Sequence, residues 1–187
     1  MKRLLYEIQW LLPALLGLAG CHTSSENDPS QFVALQSDFE GFMYWKSWKV
    51  SDEPLDDTHI SSSRYVYINE VPASGSTDFP IGTLIVKTDT EGDNPHHWTV
   101  FGRAKRGGSY NADGAMGWEW FGIIISEEGT PLIDWRGPVP PVYSNYACDL
   151  GEDDDTALLE LGDCNSCHMT ADNNDYVLSS ALKLDEF

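Results

Sequence analysis

Positive charge is scarce in this sequence: 11 Lys+Arg stand against 30 Asp+Glu, a formal net charge of −19 over 187 residues. Phosphate backbones are gripped by clustered Lys and Arg, so the deficit excludes nucleic acid as a partner. Long apolar runs are missing as well. Trp10 to Leu18 is the chief apolar stretch, well short of the roughly 20 residues that a bilayer-spanning helix needs. Cysteine is sparse, with four residues at positions 21, 148, 164 and 167, and this placement argues against a framework of two disulfides. Aromatic residues, by contrast, are plentiful at 12%, too many for a solvated acidic coil. The length suits one domain with a sizeable core, or one domain and a tail.

The first twenty residues read as an address. Lys2 and Arg3 precede the short apolar run, which ends in Leu18-Ala19-Gly20-Cys21. That is the layout of an export signal, and its last four residues resemble a bacterial lipobox, in which Cys21 becomes the lipidated first residue of the mature chain. The alternative is an ordinary secretory signal that leaves Cys21 a free thiol. Both take the protein out of the cytoplasm. Removing Lys2, Arg3 and Glu7 leaves 9 Lys+Arg against 29 Asp+Glu, a net −20. Acyl chains, and not charge, must then hold the body at an anionic membrane. The expected location is the periplasmic side of a bacterial membrane, the outer one ahead of the inner. Residues 21–31 form a lipidated polar tether, and 32–187 form the folded domain.

Asp28-Pro29 signals a helix start. Phe32, Leu35, Phe39 and Phe42 recur at helical spacing, which predicts a helix over about 30–48. The period then changes to two. Arg64 to Asn69 alternates Tyr65 and Tyr67 against Val66 and Ile68. Thr83 to Thr88 sets Leu84 and Val86 against Thr83, Ile85 and Lys87. Trp98 to Lys105 and Trp118 to Ile125 complete four predicted strands. Short connections make them antiparallel. The segment 129–146, with four prolines, reads as irregular. Glu152 to Asp155 is a solvated acidic run, Thr156 to Gly162 a helical turn, and Asn174 to Leu184 a closing helix. The expected class is α+β, a mostly antiparallel β-sheet with an N-terminal helix and short C-terminal helices.

Chemistry concentrates near the carboxyl end. Cys164-Asn165-Ser166-Cys167-His168 is CxxCH, the attachment sequence of a c-type haem. Two thiols three residues apart form thioethers to the two vinyl groups on one porphyrin edge, and the adjoining histidine reaches the iron. Attachment takes place outside the cytoplasm, where the signal sends this chain. A redox dithiol fits less well without a βαβ pattern, and half a zinc site needs two more ligands. Cys148 is left over as a buried or free thiol.

Met169 follows the proximal His168 directly and is badly placed to cross the ring. A sixth ligand from upstream would be Met43, Met116, His59, His96 or His97, and no spacing singles one out. The default is one covalent haem c with an open distal site, which binds small molecules.

Phe79-Pro80-Ile81-Gly82-Thr83 leading into Leu84-Ile85-Val86-Lys87, the element Gly117-Trp118-Glu119-Trp120-Phe121, and the terminal CxxCH followed by Asp175 resemble the cytochrome P-460 and cytochrome c′-beta family over nearly the whole mature chain. The resemblance implies a homodimeric β domain with a five-coordinate haem. One branch oxidises hydroxylamine and joins a lysine to the porphyrin; the other binds nitric oxide and similar ligands without that link. Lys87 is the preferred cross-link residue and Lys105 the alternative, while both as solvated strand lysines is the plain reading. Glu119 would accept protons if it faced an apolar haem pocket, and would be an ordinary carboxylate if it faced out. Arg103 would pair with a haem propionate. Phe79, Trp118 and Trp120 would line the pocket or simply pack the core. The implied ligand is a small nitrogen species, with a redox partner of unspecified identity; a monohaem electron carrier is the remaining alternative.

Overall fold

The structure, a computed structural model, describes residues 31–50, 63–90, 93–137, 140–141 and 164–187. Cys21, His59, Cys148, the acidic run and the turn expected at 156–162 lie outside these residues.

Six strands form one sheet in chain order, each antiparallel to its neighbours. They are β1 (Lys46–Val50), β2 (Ser63–Ile68), β3 (Leu84–Thr90), β4 (Thr99–Lys105), β5 (Trp118–Ile125) and β6 (Pro131–Gly137). With a few short helices beside it, this sheet fits the α+β class. Side chains alternate between faces along a strand, and here both faces are covered. Leu84, Val86, Val100, Ala104, Phe121 and Ile123 pack with Ala34, Phe39 and Phe42 of the N-terminal segment. On the other face Val66, Ile68, Ile85, Trp118 and Trp120 pack with Cys164, Val177, Leu182 and Leu184 of the C-terminal segment. The period-two split predicted for β2 and β3 therefore holds.

Two glycines permit the close layers. A Cβ on Gly102 would lie 3.0 Å from Cε1 of Phe39 on one face, and a Cβ on Gly122 would lie 2.1 Å from Nε1 of Trp135 on the other.

Three expected elements differ. The helix over 30–48 is replaced by two 3-10 turns, Gln36–Phe39 and Phe42–Tyr44, and then by β1. Gly41 between the turns is left-handed at φ 70°, which ends any continuous helix, and Lys46–Val50 gains a ladder to β2. Phe39 and Phe42 are buried all the same, so the apolar stripe was real and the backbone assigned to it was not. Within 129–146, β6 occupies 131–137; Pro131 opens it as the first residue of an edge strand, where a missing N–H costs no ladder bond. The closing helix over 174–184 is absent. Asp175 and Tyr176 have φ of 49° and 62°, and the burial of Val177, Leu182 and Leu184 is reached by an irregular path.

Candidate functional site

Helix α1 (Cys164–His168) is a single turn, so residues three apart share one side of it. Cys164 is buried and Cys167 is partly exposed. The turn is seated by Asn165, which lies between them. Its Oδ1 accepts from Asn111 Nδ2 at 2.7 Å and from the Ala115 N–H at 3.1 Å, and its Nδ2 donates to Asn111 Oδ1 at 2.9 Å. Gly114 leaves the room, since a Cβ there would lie 2.3 Å from Cγ of Asn165.

His168 sits against the sheet. Its ring lies 4.4 Å from that of Trp120, centroid to centroid. Nδ1 is 2.8 Å from the Tyr176 carbonyl and 3.2 Å from Arg103 Nη1, which is itself 3.3 Å from the same carbonyl. A carbonyl only accepts and a guanidinium only donates. Both contacts with Tyr176 are satisfied when Nδ1 carries the proton and donates to the carbonyl, with Arg103 as a second donor to it. Nε2 then presents a lone pair, the form that binds a metal. Burial, helped by the positive charges of Arg103 and Lys87 and opposed by the carbonyl, holds the imidazole pKa down to about 3. The ring is neutral across the physiological range.

A cavity of about 260 Å³ opens beside this ring, lined by His168, Cys167, Trp120, Phe101, Lys87 and Arg103. Val66, Ile85 and Leu178 add apolar surface. Strand register explains the gathering: Ile85 lies opposite Arg103 and Arg103 opposite Trp120, while Val66 lies opposite Lys87 and Lys87 opposite Phe101. All belong to the face that receives the C-terminal segment. Arg103 is buried and lies over Trp118 at 5.2 Å and Trp120 at 6.0 Å.

The donor chemistry fits a c-type haem. Two cysteines on one turn, a neutral imidazole with its distal nitrogen unprotonated, apolar walls and two cations suited to carboxylates are what such a group requires.

Other expected site residues lie elsewhere. Glu119 is on the opposite face of β5 from Trp118 and Trp120. It is buried there, with Arg136 Nε donating to Oε1 and Nη2 to Oε2, each at 2.7 Å, and Arg106 Nη1 at 3.5 Å. Of the two orientations open to Glu119, the structure has the one that faces away from the cavity, with its carboxylate held by two guanidiniums. Lys105 shares the face of His168 but does not line the cavity; its Nζ is 2.5 Å from Asp175 Oδ1 and 5.2 Å from the Trp118 ring centroid. Met43, Met116, His96 and His97 do not line the cavity either, and His96 Nδ1 is 2.7 Å from the Ile125 carbonyl. Phe79 and Trp118 form core beside Phe187.

The Asn165–Asn111 pair and the Tyr176 carbonyl are absent from the sequence reading. The two inner positions of CxxCH carry no requirement of their own, and a backbone carbonyl has no side-chain signal. Among the described residues no helix is long and apolar enough to cross a membrane. The chain matches no family model, no curated protein and no solved structure.

Proposed function

We propose that this chain is an extracytoplasmic, lipid-anchored protein of the cytochrome P-460 kind, with one haem c held by Cys164, Cys167 and His168 and a small nitrogen species as its ligand. The observation that carries the reading is the pairing of two cysteines on one turn with a neutral His168 whose Nδ1 is engaged by the Tyr176 carbonyl. In attachment each thiol adds its sulfur and hydrogen across one vinyl double bond, with no leaving group and no net redox change. The bound haem supplies a redox-active iron with a position for a ligand. His168 would offer Nε2 to it, Trp120 would brace the imidazole, and Arg103 would balance propionate charge. Phe101, Val66 and Ile85 would keep water from the cavity.

Oxidation of hydroxylamine is the activity proposed, with electrons passing to a one-electron acceptor outside this chain. Lys87, on the cavity wall, is the lysine for a porphyrin link. Nitric-oxide binding without turnover is the second reading, favoured by one observation: among the described residues no carboxylate lines this cavity, and Glu119 is on the other face.

The absorption spectrum of the ferrous protein, with masses of its haem peptides, tests both. A strongly red-shifted band that disappears in Lys87→Ala supports the oxidase. An ordinary high-spin spectrum supports gas binding. A low-spin spectrum indicates an electron carrier, and a chain without covalent haem refutes all of these readings.

A further inference from the structure

We propose that the buried Lys105–Asp175 pair is a positioning device for His168, locking a left-handed turn whose following carbonyl holds the imidazole. The proposal deepens the haem reading and rests on it for its purpose, while the lock is a property of the chain itself.

Asp175 and Tyr176 are two consecutive non-glycine residues in the left-handed region, with φ of 49° and 62°. L-residues avoid that conformation, and Tyr more than Asp, so the surroundings must impose it. Asp175 is gripped by three separate parts of the fold. Lys105 Nζ, at the end of β4, donates to Oδ1 at 2.5 Å; the Phe79 N–H donates to Oδ2 at 3.0 Å; and Trp118 Nε1, at the start of β5, donates to its carbonyl at 2.8 Å. All three contacts are buried. Tyr176 N–H adds a 2.8 Å bond to the Ala171 carbonyl. The next group along the chain is the Tyr176 carbonyl, the acceptor for His168 Nδ1 at 2.8 Å.

A buried ion pair is a costly way to gain stability, because desolvating both partners offsets their attraction. Its distinctive yield here is orientation. Lys105 gives a charged anchor on the rigid sheet, Asp175 converts it into a fixed backbone turn, and the turn determines which imidazole nitrogen carries the proton. Lys105 is thus a positioning residue for the axial ligand, acting through Asp175 and Tyr176, and not a residue that touches the porphyrin.

The test uses the full-length chain, with exchange of the His168 Nδ1–H proton followed by nitrogen-15 NMR in haem-free protein. Asp175→Asn is the milder variant, because Asn tolerates the left-handed region and keeps an acceptor for Phe79; Lys105→Met removes the cation. Exchange at His168 is expected to quicken roughly tenfold or more in both, while sheet amides such as Val86 and Phe121 keep their protection. Lys105→Arg is expected to restore the slow rate. In haem-loaded protein the same loosening reads as a higher reduction potential, since a weaker bond at Nδ1 makes the ligand less electron-donating. Unchanged His168 exchange in a folded Asp175→Asn variant overturns the proposal. A uniform loss of protection throughout the sheet also overturns it, by showing that the pair serves stability alone. Failure of the haem reading registers separately, as the absence of covalent haem in the parent chain.

Discussion

Asn165 occupies one of the two positions that the CxxCH spacing leaves free, yet it ties the turn to the loop between β4 and β5. Its Oδ1 faces Asn111 Nδ2, the Ala115 N–H and, at 3.4 Å, Trp120 Nε1. Asn111 Nδ2 also reaches the Ala115 and Trp118 carbonyls at 3.2 Å, but removing Asn165 takes away the acceptor of the Ala115 N–H, which costs more than the net worth of the bond. Asn165→Ala is expected to lower stability by about 1–3 kcal/mol, read as a lower urea midpoint, and to reduce the fraction of chains carrying covalent haem. An unchanged midpoint would show that water replaces the amide. Lysines make the same point about context. Lys87 and Lys105 look alike as strand residues, yet one borders the cavity and the other is buried against Asp175.

Strand alternation governs the next scale. Glu119 lies between two tryptophans that face the C-terminal segment, so a flat pleat sends its carboxylate to the other side, where Arg136 grips both oxygens. Arg136 also donates to the Ala34 carbonyl at 3.1 Å, which ties β6 and β5 to the N-terminal segment. Glu119→Gln should therefore lower stability by about 1.5–3 kcal/mol, the worth of hydrogen bonds to a charged group, in a thermal melt. Its haem spectrum and ligand affinity should match the parent. A spectral change would mean that the two faces communicate through β5.

These elements also show how far the sequence could be read. Four strands were legible as short runs rich in β-branched and aromatic residues bounded by turn residues, with period two plainest in Arg64 to Asn69 and Thr83 to Thr88. β1 was hidden: Phe32 to Phe42 repeats at a helical interval, and nothing before Lys46 announced that Gly41 would turn left-handed. β6 was hidden by Pro131 and Pro138 at its borders, since proline normally argues against a strand and edge position alone excuses it. The C-terminal stripe of Tyr176, Val177, Ala181 and Leu184 mimicked a helix, although hydrogen bonds from Asn174 Nδ2 to the carbonyls of Val177 and Leu182 hold a different path.

For the whole molecule, two segments from opposite ends of the chain cover opposite faces of one sheet. The C-terminal cover brings the CxxCH turn to the face bearing Arg103, Trp120 and Lys87. The charge of −20 expected after signal removal leaves lipidation at Cys21 as the proposed attachment to a membrane. Cys21→Ser is expected to move the protein from the membrane fraction to the soluble extracytoplasmic fraction, followed by fractionation and immunoblotting. Retention in the membrane fraction would refute lipidation as the anchor.

The sequence by itself determined the alternation of the central strands and the CxxCH spacing, because both depend on neighbours along the chain. It also supports the export signal and the haem reading as expectations. Only the tertiary structure decided which polar groups meet. Glu119 and Arg136, Lys105 and Asp175, Asn111 and Asn165, and His168 and the Tyr176 carbonyl are pairs set by strand register and by two left-handed residues. Register and backbone handedness follow from packing the whole sheet between its two covers, and no local pattern of residue types encodes them.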